Sequence, residues 1–137
     1  TLPLRALARL RAVMKHNGLS SDREWQRRLA RSEIAVETVT AAYFQCLERF
    51  ETGNAAGGES SYLKILATEV TQDIVDLVQE AAGPLRAVKV PSAGSDARVD
   101  FSEMYLQSRR LSIYGGSNEI QRSILAAQVL GLQGARR

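Results

Sequence analysis

Apolar residues in this chain return at steps of three and four, the spacing of one face of a helix, and nowhere alternate singly for a useful length. Leu4, Leu7, Leu10 and Met14, with Arg5, Arg9 and Arg11 between them, predict an amphipathic helix from Leu2 that Asn17-Gly18 stops. Ser20, Ser21 and Asp22 offer caps for a second helix, with Glu24 in its first turn. Its predicted buried face is a heptad seam through Trp25, Leu29, Ser32, Val36, Val39, Tyr43, Cys46 and Phe50. Nearly thirty residues at about 1.5 Å each make a rod of roughly 45 Å, which calls for a partner helix in a bundle or across a subunit contact.

Glu51 to Glu59 has no period and reads as a linker, after which Ser60 or Ser61 is expected to cap a third helix. Leu63, Leu66, Val70, Ile74, Leu77, Val78 and Ala81 mark the buried face of that helix, and Gly83-Pro84 ends it. Leu85 to Asp100 is irregular, with loop chemistry in Pro91-Ser92-Ala93-Gly94-Ser95-Asp96. A fourth helix is expected from Asp100 or Ser102 through Met104, Tyr105, Arg109 and Ile113. A glycine pair breaks it, and a fifth runs from about Asn118 to Leu130. The expected fold is all-α: an antiparallel, up-and-down bundle of four main helices, with a C-terminal helix that extends or caps it.

Composition adds a few exclusions. The chain has 137 residues, enough for one compact domain. Its net charge of +3 is mild, and no aromatic residues interleave the basic ones as in a single-strand binding platform, so nucleic acid is not expected. Arginine and alanine richness suggests a bacterial source. Cys46 is alone, which excludes an internal disulfide, and with the single His16 leaves no zinc set, so no metal is expected. Apolar neighbours at helical spacing predict a buried structural thiol at Cys46. No apolar run reaches spanning length and no signal peptide is visible, so the expected location is the cytoplasm, without membrane insertion. The abrupt opening in helix-like sequence suggests a piece of a longer polypeptide.

The candidate chemistry lies in Tyr114-Gly115-Gly116-Ser117-Asn118-Glu119-Ile120-Gln121-Arg122. Paired glycines allow a bend and close approach to the backbone, and a helix opening after them presents free N–H groups to an anion. The plain alternative is an ordinary connection, with Asn118 as N-cap and Gln121 completing a capping box.

That run, followed by Ile124-Leu125-Ala126 and Val129-Leu130-Gly131-Leu132, resembles the C-terminal signature of acyl-CoA dehydrogenases. Tyr62-Leu63-Lys64 through Gly83-Pro84 is similar to the family's penultimate bundle helix. The resemblance implies that residues 1–137 are the C-terminal helical domain of a flavoprotein subunit, with an N-terminal helical domain and a middle β domain outside this chain. It implies FAD as cofactor, an acyl-CoA substrate in fatty acid or lipid metabolism, and an electron-transfer flavoprotein as oxidant. It also implies a homo- or hetero-tetramer. The reaction would be α,β-dehydrogenation of the thioester, or the chain would belong to a catalytically silent subunit serving assembly.

Carried over by position, Ser117, Asn118 and Glu119 are the expected contacts to the FAD pyrophosphate and ribose. Gln79 and Gly83 fall on a second flavin-contacting stretch, where Gln79-Glu80-Ala81-Ala82-Gly83 lacks one of the family's two glycines. Tyr114, Gly115 and Gly116 fall beside the thioester. Gly115 occupies the position where many members carry the catalytic glutamate, so no catalytic residue is expected within this chain and the base would lie upstream of Thr1. The family's Arg-x-x-Phe-Gly element, aligned on Gly18, reads Met14-Lys15-His16-Asn17-Gly18, without its Arg and Phe.

Overall fold

The structure is a computed structural model that describes residues 1–54, 57–87, 89–91 and 98–132. Its helices are α1 (Leu2–His16), α2 (Arg23–Glu51), α3 (Glu59–Ala82), α4 (Phe101–Arg109) and α5 (Asn118–Gln128). Single 3-10 turns lie at Leu19–Ser21, Gly83–Ala87 and Arg110–Ser112. Asp22 caps α2 by accepting a bond from the Trp25 N–H at 3.0 Å, and Asp100 caps α4 by accepting from Glu103 N–H at 2.9 Å.

Three expectations at element boundaries need correction. Neither Ser60 nor Ser61 caps α3, which begins at Glu59 behind Gly58, at a φ of +77°. A Cβ on Gly58 would lie 3.1 Å from Leu125 Cδ2, so the close approach of α5 and the left-handed turn together require glycine there. The fourth helix stops at Arg109 and tightens to a 3-10 turn before Ile113. The irregular stretch holds two short antiparallel strands, β1 (Lys89–Pro91) and β2 (Arg98–Asp100), with Val90 opposite Val99. Three residues are too few for alternation to show in a sequence. Of the loop expected at Pro91 to Asp96, everything after Pro91 lies outside the described residues, as do Ala55 and Ala56 of the linker.

Side-chain contacts give the helix directions. Arg28 near the start of α2 bonds Glu80 near the end of α3 at 2.5 Å, and Arg49 near the end of α2 lies 3.8 Å from Glu59 at the start of α3, so the two run antiparallel. Asn17 after α1 donates to the Ala81 carbonyl at 2.6 Å, while Thr1 and Pro3 share a cleft with Leu63 and Ala67; α1 therefore runs parallel to α3. Gln79 donates to the Phe101 carbonyl, Gln72 to the Ser108 carbonyl at 2.9 Å, and Lys64 to Asn118 at 2.6 Å, so α4 and then α5 descend α3 from its C-terminal end. The molecule is all-α in its body and up-and-down in topology, as expected. Its fourth rod is α4 and α5 in tandem, so the C-terminal helix extends the bundle.

The core lies among α1, α2 and α3, around Leu10, Met14, Val36, Ile74 and Val78, all under 2 % or at 2 % exposure. Cys46 is buried. The predicted faces hold only where a neighbour covers them. Tyr43 and Phe50 are exposed because α1, with 15 residues, flanks only the first part of the 29-residue α2, and Leu4 on α1 itself is exposed as well. On α3, Leu63, Leu66 and Leu77 are half-buried, while Ile65, Thr68, Thr71 and Val75 are buried, because helices pack on several sides of it.

The face of α3 toward the fourth rod is polar. Lys64, Thr68, Gln72 and Asp76 recur every four residues, and each bonds to the fourth rod: Lys64 and Thr68 to Asn118, Gln72 to Ser108 and Ser112, Asp76 to Arg109 at 2.7 Å. Glu69 pairs with Arg122 beside this stripe. Asp73, between them, has its carboxyl raised above the ordinary range, first by partial burial, then by repulsion from Asp76 and Glu69, with Arg109 offsetting only part.

Two outcomes are expected. Leu10→Ala should cost about 3 kcal/mol in urea unfolding, and Leu4→Ala less than about 1, because only the first empties a packed site. A raised carboxyl means that the charged form is disfavoured in the fold. Asp73→Asn should therefore raise the unfolding midpoint at neutral pH, with the gain fading as pH falls through the carboxylate range toward about 3.

Candidate functional site

The glycine turn is built as a left-handed pair. Gly115 and Gly116 have φ of +70° and +89°, a region that costs an L-residue about 1–2 kcal/mol. A Cβ on Gly116 would meet Gln121 Nε2 at 2.6 Å, whereas one on Gly115 would meet nothing within 4 Å. Space for a side chain therefore exists at Gly115, and the backbone alone opposes one.

The cap is shifted by one residue from the expected Asn118. Ser117 is the N-cap of α5, its Oγ accepting from the Ile120 N–H at 3.4 Å. Gln121 does not close a capping box; its Nε2 donates to the Gly115 carbonyl at 3.0 Å and pins the turn from below. Asn118 is the first helical residue and is buried at 4 % exposure. Its Oδ1 accepts from Lys64 Nζ at 2.6 Å, and its Nδ2 donates to Thr68 Oγ1 at 3.3 Å and Glu69 Oε1 at 3.4 Å. A serine hydroxyl is enough to cap, and the lysine draws the asparagine inward.

The surface of the turn is left with backbone. The first intrahelical bond runs from Gln121 N–H to the Ser117 carbonyl at 2.9 Å, so the amides of Asn118 and Glu119 precede the helical ladder. The Glu119 carboxyl is exposed and held below its ordinary range, first by its own backbone N–H, then by the Ser117 hydroxyl, with Arg122 and Lys64 adding attraction. An anion is thus already favoured at this turn.

Gln79 and Gly83 sit elsewhere. Thr68, beside Asn118, and Gln79 are eleven helical residues apart, about 16 Å along α3. One chain does not bring the two expected flavin-contacting stretches together, and Gln79 Nε2 is held by the Phe101 carbonyl. Gly83 closes α3 with a φ of +53°.

Tyr114 is exposed and lies on a cleft of about 340 Å³ between α1, α3 and α4, with Arg5, Arg9, Val75, Met104 and Arg110 among its walls. Sequence reasoning did not single out Lys64, Arg5 or Arg110. The signal for Lys64 was its place in a four-residue polar spacing on an otherwise apolar helix; Arg5 and Arg110 gave none, since the cleft joins distant segments. A larger hollow of about 550 Å³, lined by Cys46, Gly58, Glu59 and Val129, holds none of the predicted site residues. Among the described residues no group of His, Cys, Asp or Glu could hold a metal ion, and no helix is long and apolar enough to cross a membrane.

Known proteins resemble this chain in fold and sequence. The chain superposes on a chain of the solved Tcur3481-Tcur3483 steroid ACAD with a TM-score of 0.80 at 20% identity, covering 97% of this chain and 35% of that one, a likeness of fold. It is similar to acyl-CoA dehydrogenase IpdE1 of Mycobacterium tuberculosis, at 35% identity over 75 residues, 55% of this chain and 18% of the relative. Acyl-CoA dehydrogenase FadE26 of the same organism is 28% identical over 120 residues, 85% of this chain and 30% of the relative. The chain thus spans about a third or less of the length of these proteins. The family described as "Acyl-CoA dehydrogenase, C-terminal domain" matches residues 4–130, so this chain, from its helical body to the turn at Gly115 and Gly116, belongs to the acyl-CoA dehydrogenase family.

Proposed function

We propose that this chain is the FAD-contacting and oligomerising C-terminal domain of an acyl-CoA dehydrogenase that removes the α and β hydrogens of an acyl-CoA thioester. The observation that carries the reading is the fixed turn at Gly115-Gly116, which opens α5 with Ser117, Asn118 and Glu119 ahead of its helical ladder, within the region that matches the family. When bound, FAD supplies the two-electron acceptor for the hydride from the β-carbon. Ser117, Asn118 and Glu119 contact its anionic portion at the start of α5, and Gln79 and Gly83 serve a flavin at the other end of α3. Tyr114, Gly115 and Gly116 border the thioester, and glycine at 115 leaves room there.

The α-proton needs a base, and Gly115 offers none. α1 carries no carboxylate either. The base lies upstream of Thr1 in this reading. Electrons pass on to an electron-transfer flavoprotein, and the enzyme works as a tetramer in a bacterial cytoplasm. A second reading, a catalytically silent subunit in a hetero-oligomer, is favoured by the same glycine and by the two-part name of the solved neighbour.

The test is made on the full-length parent. A flavin absorption band that bleaches on anaerobic addition of acyl-CoA thioesters is expected; purified protein without flavin would favour the silent subunit. Gly115→Glu should unfold about 1–2 kcal/mol more easily, the cost of a side chain at positive φ, while keeping the fold. Turnover separates the readings. An enzyme with its base upstream gains nothing from the new carboxylate, whereas a chain lacking only its base gains on the order of 10²–10⁴-fold.

A further inference from the structure

The cleft beside Tyr114 carries charge of one sign. Arg5 stands on α1, and Arg110 reaches the same rim from the 3-10 turn after α4. Val75 and Met104 give the space between them its main apolar wall, with Thr71, Gln107 and Ser108 as neutral polar neighbours, and no Asp or Glu lines it. Several arginines elsewhere on the surface are paired. Arg11 pairs with Glu33, Arg28 with Glu80, Arg109 with Asp76 and Arg122 with Glu69. Among the described residues neither Arg5 nor Arg110 has a carboxylate partner, and the Arg110 guanidinium lies 5.7 Å from the Tyr114 ring.

Like charges around a half-enclosed apolar space repel, and low local dielectric strengthens that repulsion. An anion placed among them removes it, and the planar guanidinium fork matches carboxylate and phosphate oxygens. The volume of about 340 Å³ falls within the range of small-molecule sites, roughly 300–1,000 Å³. An apolar interior with a cationic rim suits a ligand with an apolar body and an anionic end.

We propose that Arg5 and Arg110 bind an anionic oxygen group of the thioester ligand, its apolar portion lying on Val75 and Met104 beside Tyr114. This rests on the acyl-CoA reading above. The group has two sources, a carboxylate at the far end of the acyl chain or a phosphate of the CoA. In the first case the enzyme's substrates are half-thioesters of dicarboxylic acids.

The experiment is calorimetric binding to the full-length holoprotein, wild type and Arg5→Gln/Arg110→Gln, with adipoyl-CoA, hexanoyl-CoA, free CoA and dephospho-CoA. Arg5→Lys/Arg110→Lys serves as the conservative control, and circular dichroism checks the fold of each. The expected result is at least tenfold tighter binding of adipoyl-CoA than hexanoyl-CoA, lost in the Gln variant and partly kept with Lys. A Gln variant that instead weakens hexanoyl-CoA and free CoA equally, with dephospho-CoA unaffected, supports the site and assigns it to the CoA phosphate. Binding of every compound unchanged within twofold in the Gln variant overturns the proposal and leaves the acyl-CoA reading standing. Failure of wild type to bind any CoA compound overturns both.

Discussion

A stripe of polar side chains, four residues apart along α3, decides where the C-terminal part of the chain lies. Lys64, Thr68, Gln72 and Asp76 each take a bond from the fourth rod or give one to it. Such a seam is directional in a way that an apolar seam is not. A leucine row tolerates a helix sliding along it, whereas a carboxylate meeting a guanidinium at 2.7 Å fixes rotation and height together. Removing one partner leaves a half-buried polar group unsatisfied, which typically costs about 1–3 kcal/mol. The glycine turn between α4 and α5 is held in place by these bonds, so the position of Ser117, Asn118 and Glu119 is a property of α3 as much as of their own segment.

How much of this could be read beforehand depends on how local the cause is. Helix number and order, the Asp22 cap and the stop at Gly83 were legible, because they rest on spacing and on side chains next to the backbone that they serve. The buried side of α2 was legible at Ser32, Val36, Val39 and Cys46. Tyr43 and Phe50 continue the same period yet stand exposed, since a sequence pattern shows which face could be covered and not how long the cover is. Gly58 hid its role as the start of α3, because the reason for it lies in Leu125, far along the chain.

The candidate site divides in the same way. A helix opening after Gly116 was readable. What could not be read was that Asn118 would point inward. Its partner Lys64 is fifty-four positions away, and only the antiparallel course of α5 against α3 brings the two within 2.6 Å. The resemblance to acyl-CoA dehydrogenases identified the family, while the arrangement within the turn, hydroxyl for the cap and side-chain amide for the interior, came from packing.

The fourth rod also differs from the others in how little apolar surface ties it down. Phe101 is its one buried large apolar side chain, whereas α1, α2 and α3 share a continuous core. Cooperative opening of a protein follows such differences. The α4–α5 segment is therefore the unit that separates first from α3, and its amides exchange with solvent by a local route well below the energy of global unfolding. The glycine turn sits at the middle of that unit, so a ligand bound there would act together with the polar seam on α3 to keep it closed.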